Sequence, residues 1–183
     1  MATRQIALLR GINVGRAKRI AMADLRALFE SLGYREVSTL LNSGNVVFTA
    51  GGKSAAAATA VRIEKALVEK LGVASRVFVL DAADLATMVA ENPHRKIAHD
   101  PSRFLLAVTA TASDHAKLAL LEKQVWKPDA LAVGKRVAYL WCADGLIESK
   151  LAQAVNRTLG EAVTTRNWAT MNKLLALAQQ EKG

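Results

Sequence analysis

Two spacings of apolar residues divide the chain. Ile6-Ala7-Leu8-Leu9 is a compact run of the kind a buried strand makes, and the Gly and Asn that follow Arg10 open a loop. Met22, Leu25, Leu28, Phe29 and Leu32 then recur at helical intervals and stop at Gly33, a natural C-cap. Residues 37–41 and 46–49 read as short strands around Asn42-Ser43-Gly44-Asn45, whose side chains tolerate the positive φ of tight turns, so the two should pair antiparallel. Residues 55–71 carry Val61, Leu67, Val68 and Leu71 on a helix ending at Gly72, and 76–80 is another strand-like run. The order β-α-β-β-α-β is that of a ferredoxin-like unit, a four-stranded antiparallel sheet with two helices on one face.

Asp81 opens a further helix, with Leu85, Met88 and Val89 inward, that ends at Asn92-Pro93. Residues 93–103, bounded by Pro93 and containing Pro101, are the predicted connector between an N-terminal half, 1–92, and a C-terminal half, 104–183. In the second half the order returns: a strand at 104–108, a helix at 113–125, a hairpin of 131–133 with 137–141 around Gly134-Lys135, and a helix at 147–159. A last helix, 168–180, stands outside the repeat. The predicted fold is α+β: two ferredoxin-like (split β-α-β) halves with antiparallel sheets and an extra C-terminal helix. The repeat is architectural, with no residue-level counterpart.

Composition is consistent with this reading, since 51% of the 183 residues are apolar, enough to offset the entropy of ordering the chain. The 11 glycines and 3 prolines show no period, which excludes collagen-like and low-complexity classes. The longest uncharged apolar stretch, 104–112, is about half of the ~20 residues that span a bilayer. The apolar run before Arg10 is too short for a secretory leader, and the lone Cys142 cannot form an internal disulfide. A cytoplasmic protein without a membrane partner is expected.

Charge changes the picture more. The formal net charge is +9, and Arg4, Arg10, Arg16, Lys18, Arg19, Arg26 and Arg35 face only Asp24 and Glu30 in the first 35 residues. Clustered basic charge attracts anions, so nucleic acid or a phosphorylated small molecule is the expected partner, with solubility alone as the plain alternative.

Familiar catalytic patterns do not account for the chain. Gly52-Lys53-Ser54 lies between a strand and a helix, but a phosphate-binding loop needs a glycine where Val47 stands, and a turn with Ser54 as N-cap is the reading kept. His94 and His99, with Asp100, lack zinc-ligand spacing, and Cys142 sits in an aliphatic strand. No metal, cofactor or catalytic residue is predicted. Three polar segments at element ends remain. Arg10-Gly11-Ile12-Asn13-Val14-Gly15-Arg16 combines glycines, an amide and guanidinium groups suited to holding an anion. Asn42-Ser43-Gly44-Asn45 turns the hairpin, and Thr164-Thr165-Arg166-Asn167-Trp168 precedes the last helix, whose N-terminus favours an anion. The expected ligand-binding residues are Arg10, Gly11, Asn13, Gly15, Ser43, Asn45, Arg166 and Asn167, with Lys18 and Arg19 adding general attraction.

At these same segments the chain resembles the bacterial family of domain of unknown function 1697. The likeness is carried by Leu8-Leu9-Arg10-Gly11-Ile12-Asn13-Val14-Gly15, Ser43-Gly44-Asn45-Val46-Val47-Phe48 and Thr164-Thr165-Arg166-Asn167-Trp168. Where the family pattern has a second glycine, an aromatic with a glutamine, and an asparagine, this chain has Arg16, Leu40 with Asn42, and Ala169. The resemblance implies an α+β fold of ferredoxin-like character and no assigned activity. The leading expectation is binding of an anionic ligand through the strand-end loop and a helix N-terminus. The alternative is a metal-independent enzyme acting on a phosphorylated or carboxylated metabolite held by Arg10, Asn13, Asn45 and Arg166. Base stacking on the sheets would fall to Phe48, Phe78, Tyr139 and Trp141.

Overall fold

The computed structural model describes residues 2–52 and 55–180, and Lys53 and Ser54, the predicted N-cap, lie outside them. Two compact units divide the chain, one of Met1–Leu85 with Leu174–Gly183 and one of Ala86–Lys173. The segment 93–103 lies inside the second unit. No helix among the described residues is long and apolar enough to cross a membrane.

The first unit runs β1 (Thr3–Leu9), α1 (Met22–Ser31), β2 (Arg35–Leu40), β3 (Asn45–Ala50), α2 (Ala56–Leu71) and β4 (Val77–Asp81). Its sheet has the order β2-β3-β1-β4 and is antiparallel throughout, with Ile6 opposite Val47 on one side and Leu80 on the other. Because successive strand residues face opposite sides, Ala7, Leu9, Val46, Phe48, Val77 and Val79 share one face. They form one core with Leu25, Leu28 and Phe29 of α1 and Ile63, Ala66 and Leu67 of α2. The rings of Phe29, Tyr34 and Phe48 meet there in tilted and edge-on pairs. On the other face Ile6, Leu8, Val47, Phe78 and Leu80 are buried as well. Burial on both faces is why 6–9 reads as a continuous apolar run and not an alternating one. Gly33 and Gly72, at φ 82° and 64°, let the chain leave α1 and α2 in the left-handed region.

Helix α3 (Ala82–Ala90) passes from one unit into the other. The second unit continues with β5 (Phe104–Thr109), α4 (Ala112–Glu122), β6 (Ala130–Val133), β7 (Val137–Trp141), α5 (Lys150–Leu159), a single 3-10 turn (Gly160–Ala162) and β8 (Val163–Asn167). Helix α6 (Trp168–Gln179) is the last element among the described residues. The second sheet has the order β6-β7-β5-β8, the same order as the first, so the fold is α+β with two four-stranded antiparallel sheets. Strand β8 departs from expectation. Its sequence, Val-Thr-Thr-Arg-Asn, has one apolar residue and reads as a polar lead-in to a helix, yet it pairs along β5 from Val163 opposite Thr109 to Asn167 opposite Leu105. Edge strands need no alternating apolar face, so tertiary pairing decides such segments. Helix α5 begins at Lys150 and not at 147, because the Ser149 hydroxyl accepts from the Ala152 N–H and caps it, and Ile147 stays exposed.

Phe104 is the centre of an aromatic group in this unit, packed against Trp168 at 5.0 Å, His94 at 5.9 Å and Tyr139 at 6.3 Å. The Tyr139 hydroxyl donates to the Met88 carbonyl at 2.7 Å, and burial pushes its pKa up to about 12. His94 is buried, and loss of solvent holds its imidazole pKa below the ordinary 6.5 despite a hydrogen bond to the Tyr139 backbone.

This burial gives a pH dependence. Above pH 6.5 the ring is neutral in both folded and unfolded chains; below it the unfolded chain takes up the proton first, and stability falls until the lowered folded pKa is passed. The denaturant midpoint should therefore drop between about pH 7 and about pH 5 more steeply for wild type than for His94→Gln. Equal pH slopes in urea titrations would refute the assignment.

Candidate anion-binding site

Strand β1 delivers its end to the loop 10–21, which must turn back to start α1. Four residues of that loop, Gly11, Asn13, Gly15 and Lys18, adopt left-handed φ between 52° and 68°. The curl is held by one side chain. The Asn13 Nδ2 donates to the Ile20 carbonyl at 2.9 Å and to the Asn42 carbonyl at 2.7 Å, while its Oδ1 accepts from the Ile20 N–H at 2.9 Å. Its backbone N–H donates to the Lys18 carbonyl at 3.0 Å. At the base of the loop, the Arg10 N–H donates to the Arg76 carbonyl and the Ser75 hydroxyl donates to the Arg10 carbonyl.

The hairpin turn closes on the same place. The Leu9 N–H donates to the Gly44 carbonyl at 2.8 Å, and Gly44 has φ 82°. A Cβ there would lie 2.8 Å from Ile12 Cδ1 and from Leu9 Cβ, inside contact distance, so only glycine fits. Asn45 is fully buried, and its Nδ2 donates to the Leu40 carbonyl and the Ser43 hydroxyl. The structure thus joins the loop to the hairpin turn through Asn13 with Asn42 and through Leu9 and Ile12 with Gly44, while Gly11 and Gly15 shape the loop by their φ and the amides of Asn13 and Asn45 are engaged within the protein.

Beside this joint lies a depression of about 290 Å³ lined by Asn13, Arg19, Ile20, Ala21, Met22 and Asn42. It sits at the head of α1, where Ala21 occupies the N-cap position and supplies no side-chain bond. The first intrahelical bond runs from the Leu25 N–H to the Ala21 carbonyl, so the N–H groups of Met22, Ala23 and Asp24 have no acceptor within the helix. Arg19 is exposed and, like Arg16 and Lys18, makes no ion pair among the described residues. From the sequence Arg19 is expected to add only general attraction, whereas the fold puts it on the wall of the depression. The signal was present: an arginine shortly before a helix whose N-cap is alanine.

Arg166 and Asn167 belong to the second unit. The Arg166 Nη1 donates to the Thr164 hydroxyl at 3.0 Å and the Thr165 carbonyl at 2.9 Å, and burial pulls its pKa down to about 10, leaving it charged at neutral pH. The Asn167 Oδ1 accepts from the Thr170 N–H at 2.9 Å and so caps α6 at its N-terminus. The two helix starts therefore differ: α6 carries its own oxygen cap and α1 does not.

Comparison with known proteins adds family and fold. A family model described as "Protein of unknown function (DUF1697)" matches residues 2–139. The chain belongs to that family. The match takes in both members of the DUF1697 loop–hairpin joint, Arg10–Gly15 and Ser43–Asn45, and ends before Arg166. A solved structure, "conserved bacterial protein SP0830 from Streptococcus pneumoniae", is similar to this DUF1697 chain with a TM-score of 0.76 and 22% identity, covering 98% of this chain and 100% of that one. That likeness establishes the fold. No curated protein matches.

Two substitutions test the joint. Asn13→Ala strands the Ile20 N–H and takes the amide donor from two carbonyls, and should cost roughly 1–3 kcal/mol of unfolding free energy. Gly44→Ala adds a clash to a disfavoured φ and should cost about 1–3 kcal/mol or more. Chemical denaturation reads both, and a Gly44→Ala protein as stable as wild type would contradict the described packing.

Proposed function

We propose that this protein binds an anionic, phosphate-bearing ligand at the head of α1, and that a phosphorylated small molecule is favoured over nucleic acid. The observation that carries the reading is the coincidence, on one small polar depression, of a helix N-terminus without a side-chain cap and an arginine without a carboxylate partner. Free N–H groups and the positive end of the helix dipole stabilise a phosphoryl group there, and a guanidinium fork adds charge-assisted hydrogen bonds. In this reading Asn13 and Asn45 position the loop and turn, while Arg19, the α1 N–H groups and the exposed Asn42 meet the ligand.

Nucleic acid stands second because stacking of bases on a sheet needs exposed aromatic faces. Phe48, Phe78 and Tyr139 are 0%, 4% and 2% exposed, which removes three of the four sheet aromatics as platforms. What remains for nucleic acid is phosphate contact through the basic loop.

Calorimetric titration of wild type and Arg19→Gln against a panel of phosphorylated metabolites and single-stranded oligonucleotides, at low and near-physiological salt, tests the proposal. A small phosphorylated ligand should bind with shallow salt dependence and lose about tenfold or more in affinity in Arg19→Gln, from the ~1.5–3 kcal/mol of a hydrogen bond to a charged group. Steep salt dependence with oligonucleotides alone would reverse the order of the two ligands. Equal affinity of wild type and variant would remove the site.

A further inference from the structure

A second, larger depression lies in the second unit, away from the loop–hairpin joint in sequence and made by different elements. It measures about 520 Å³, within the ~300–1,000 Å³ usual for small-ligand sites, and is formed by α4, the segment after it, and α5. On α5 its wall is the stripe Lys150, Gln153, Ala154, Arg157 and Thr158, residues at the i, i+3, i+4, i+7, i+8 spacing of one helix face. Facing them from α4 and its exit are Leu121, Gln124 and Trp126.

The composition of these walls is selective. Lys150 and Arg157, seven residues apart and so ~10 Å along the helix, form no ion pair among the described residues. No carboxylate is among the lining residues. Trp126 is half-buried and packs against the apolar core of this unit. Its Nε1–H donates to the Leu121 carbonyl at 2.8 Å, which fixes the ring and takes up its one donor, so that the indole offers the depression an apolar aromatic wall. Gln124 and Gln153 supply side-chain amides, each able to donate and accept. An oriented aromatic surface, amides and two uncompensated cations match a molecule that has a flat heteroaromatic ring at one end and a phosphate at the other.

We infer that the α4–α5 depression is a binding site for a mononucleotide, its base against Trp126 and its phosphate between Lys150 and Arg157. The inference does not rest on the site at the head of α1, because no residue is shared. A base over the indole changes the emission of Trp126, and the cations select the phosphorylated form over the nucleoside.

The experiment is a fluorescence titration, backed by calorimetry, of the full chain with adenosine, guanosine, cytidine and uridine monophosphates. Parallel arms use the nucleosides, ribose 5-phosphate, inorganic phosphate and a short single-stranded oligonucleotide. Wild type should bind at least one mononucleotide with quenching of tryptophan emission, and at least tenfold more tightly than the matching nucleoside or ribose 5-phosphate. Lys150→Gln with Arg157→Gln, both at exposed positions, should weaken that binding at least tenfold with an unchanged unfolding midpoint. The affinity read from Trp126 quenching, which reports this depression and not the head of α1, should be the same in Arg19→Gln, and that separates the two sites. Trp126→Phe should abolish the quenching while calorimetry still reports binding. Ribose 5-phosphate or inorganic phosphate binding as tightly as the nucleotide would overturn the inference, as would binding of the oligonucleotide alone. Equal affinity in wild type and the double variant, or no mononucleotide binding at millimolar concentration, would overturn it too.

Discussion

The carboxamide of Asn13 is the interaction on which the first unit's polar end depends. A loop of a dozen residues leaving a buried strand has backbone donors and acceptors that neither sheet nor helix satisfies, and an unmet buried group is costly. One amide meets three of those needs, pairing with both polar groups of Ile20 and with the Asn42 carbonyl. Because Ile20 stands just before α1 and Asn42 in the hairpin turn, the same side chain sets where the helix begins and where the turn lies. Gly44 completes the joint from the other side, since the strand-end residues Leu9 and Ile12 occupy the space a Cβ would need.

That joint explains why the head of α1 is shaped as it is. Many helices take a Ser, Thr, Asp or Asn at the N-cap, and in this protein α4, α5 and α6 all do so through Thr111, Ser149 and Asn167. α1 has Ala21 instead, and the asparagine nearest in sequence, Asn13, is turned to the loop. The helix start is thereby left open on a basic segment of the chain. An open N-terminus beside an arginine is electrostatically unlike the capped ones, and it is there that the proposed anion would sit.

The two sheets share a strand order and differ in how they meet the same physical demands. In the first, the central strand is apolar on both faces and its hairpin docks on the loop by glycine contact and asparagine amides. In the second, the edge strand β8, which stands where β4 does in the first, is nearly all polar, and its side chains bond close by: Arg166 to the Thr164 hydroxyl and the Thr165 carbonyl, Asn167 to the Thr170 N–H of the next helix. An aromatic cluster around Phe104 packs on one face of that sheet, and an aliphatic core that includes Leu105, Leu140, Leu151 and Val155 on the other. Within a common topology, then, the polar segments serve different ends, one shaping an open helix start and the other closing an edge strand onto a helix.

Much of this architecture was legible along the chain. Runs of apolar residues at strand and helix spacing, with Gly33, Gly72 and the Asn42–Asn45 turn as punctuation, place the first unit's elements within a few residues, because burial and backbone freedom act locally and leave a periodic mark. The three polar segments also stood out, since glycines, asparagines and arginines grouped at element ends are visible without a fold. Tertiary structure alone decided what those residues do. Strand β8 exists because β5 presents it with hydrogen-bonding partners, and a sequence of Thr, Arg and Asn carries no period that reveals this. Asn13 and Asn45 face the protein's own backbone, and Arg19 lines the depression, because the turn and the loop meet across roughly thirty residues of intervening chain. The depression between α4 and α5 likewise joins Trp126 to Arg157. Hydrogen bonds and shape of that kind depend on which segments become neighbours, and that is information no local pattern contains.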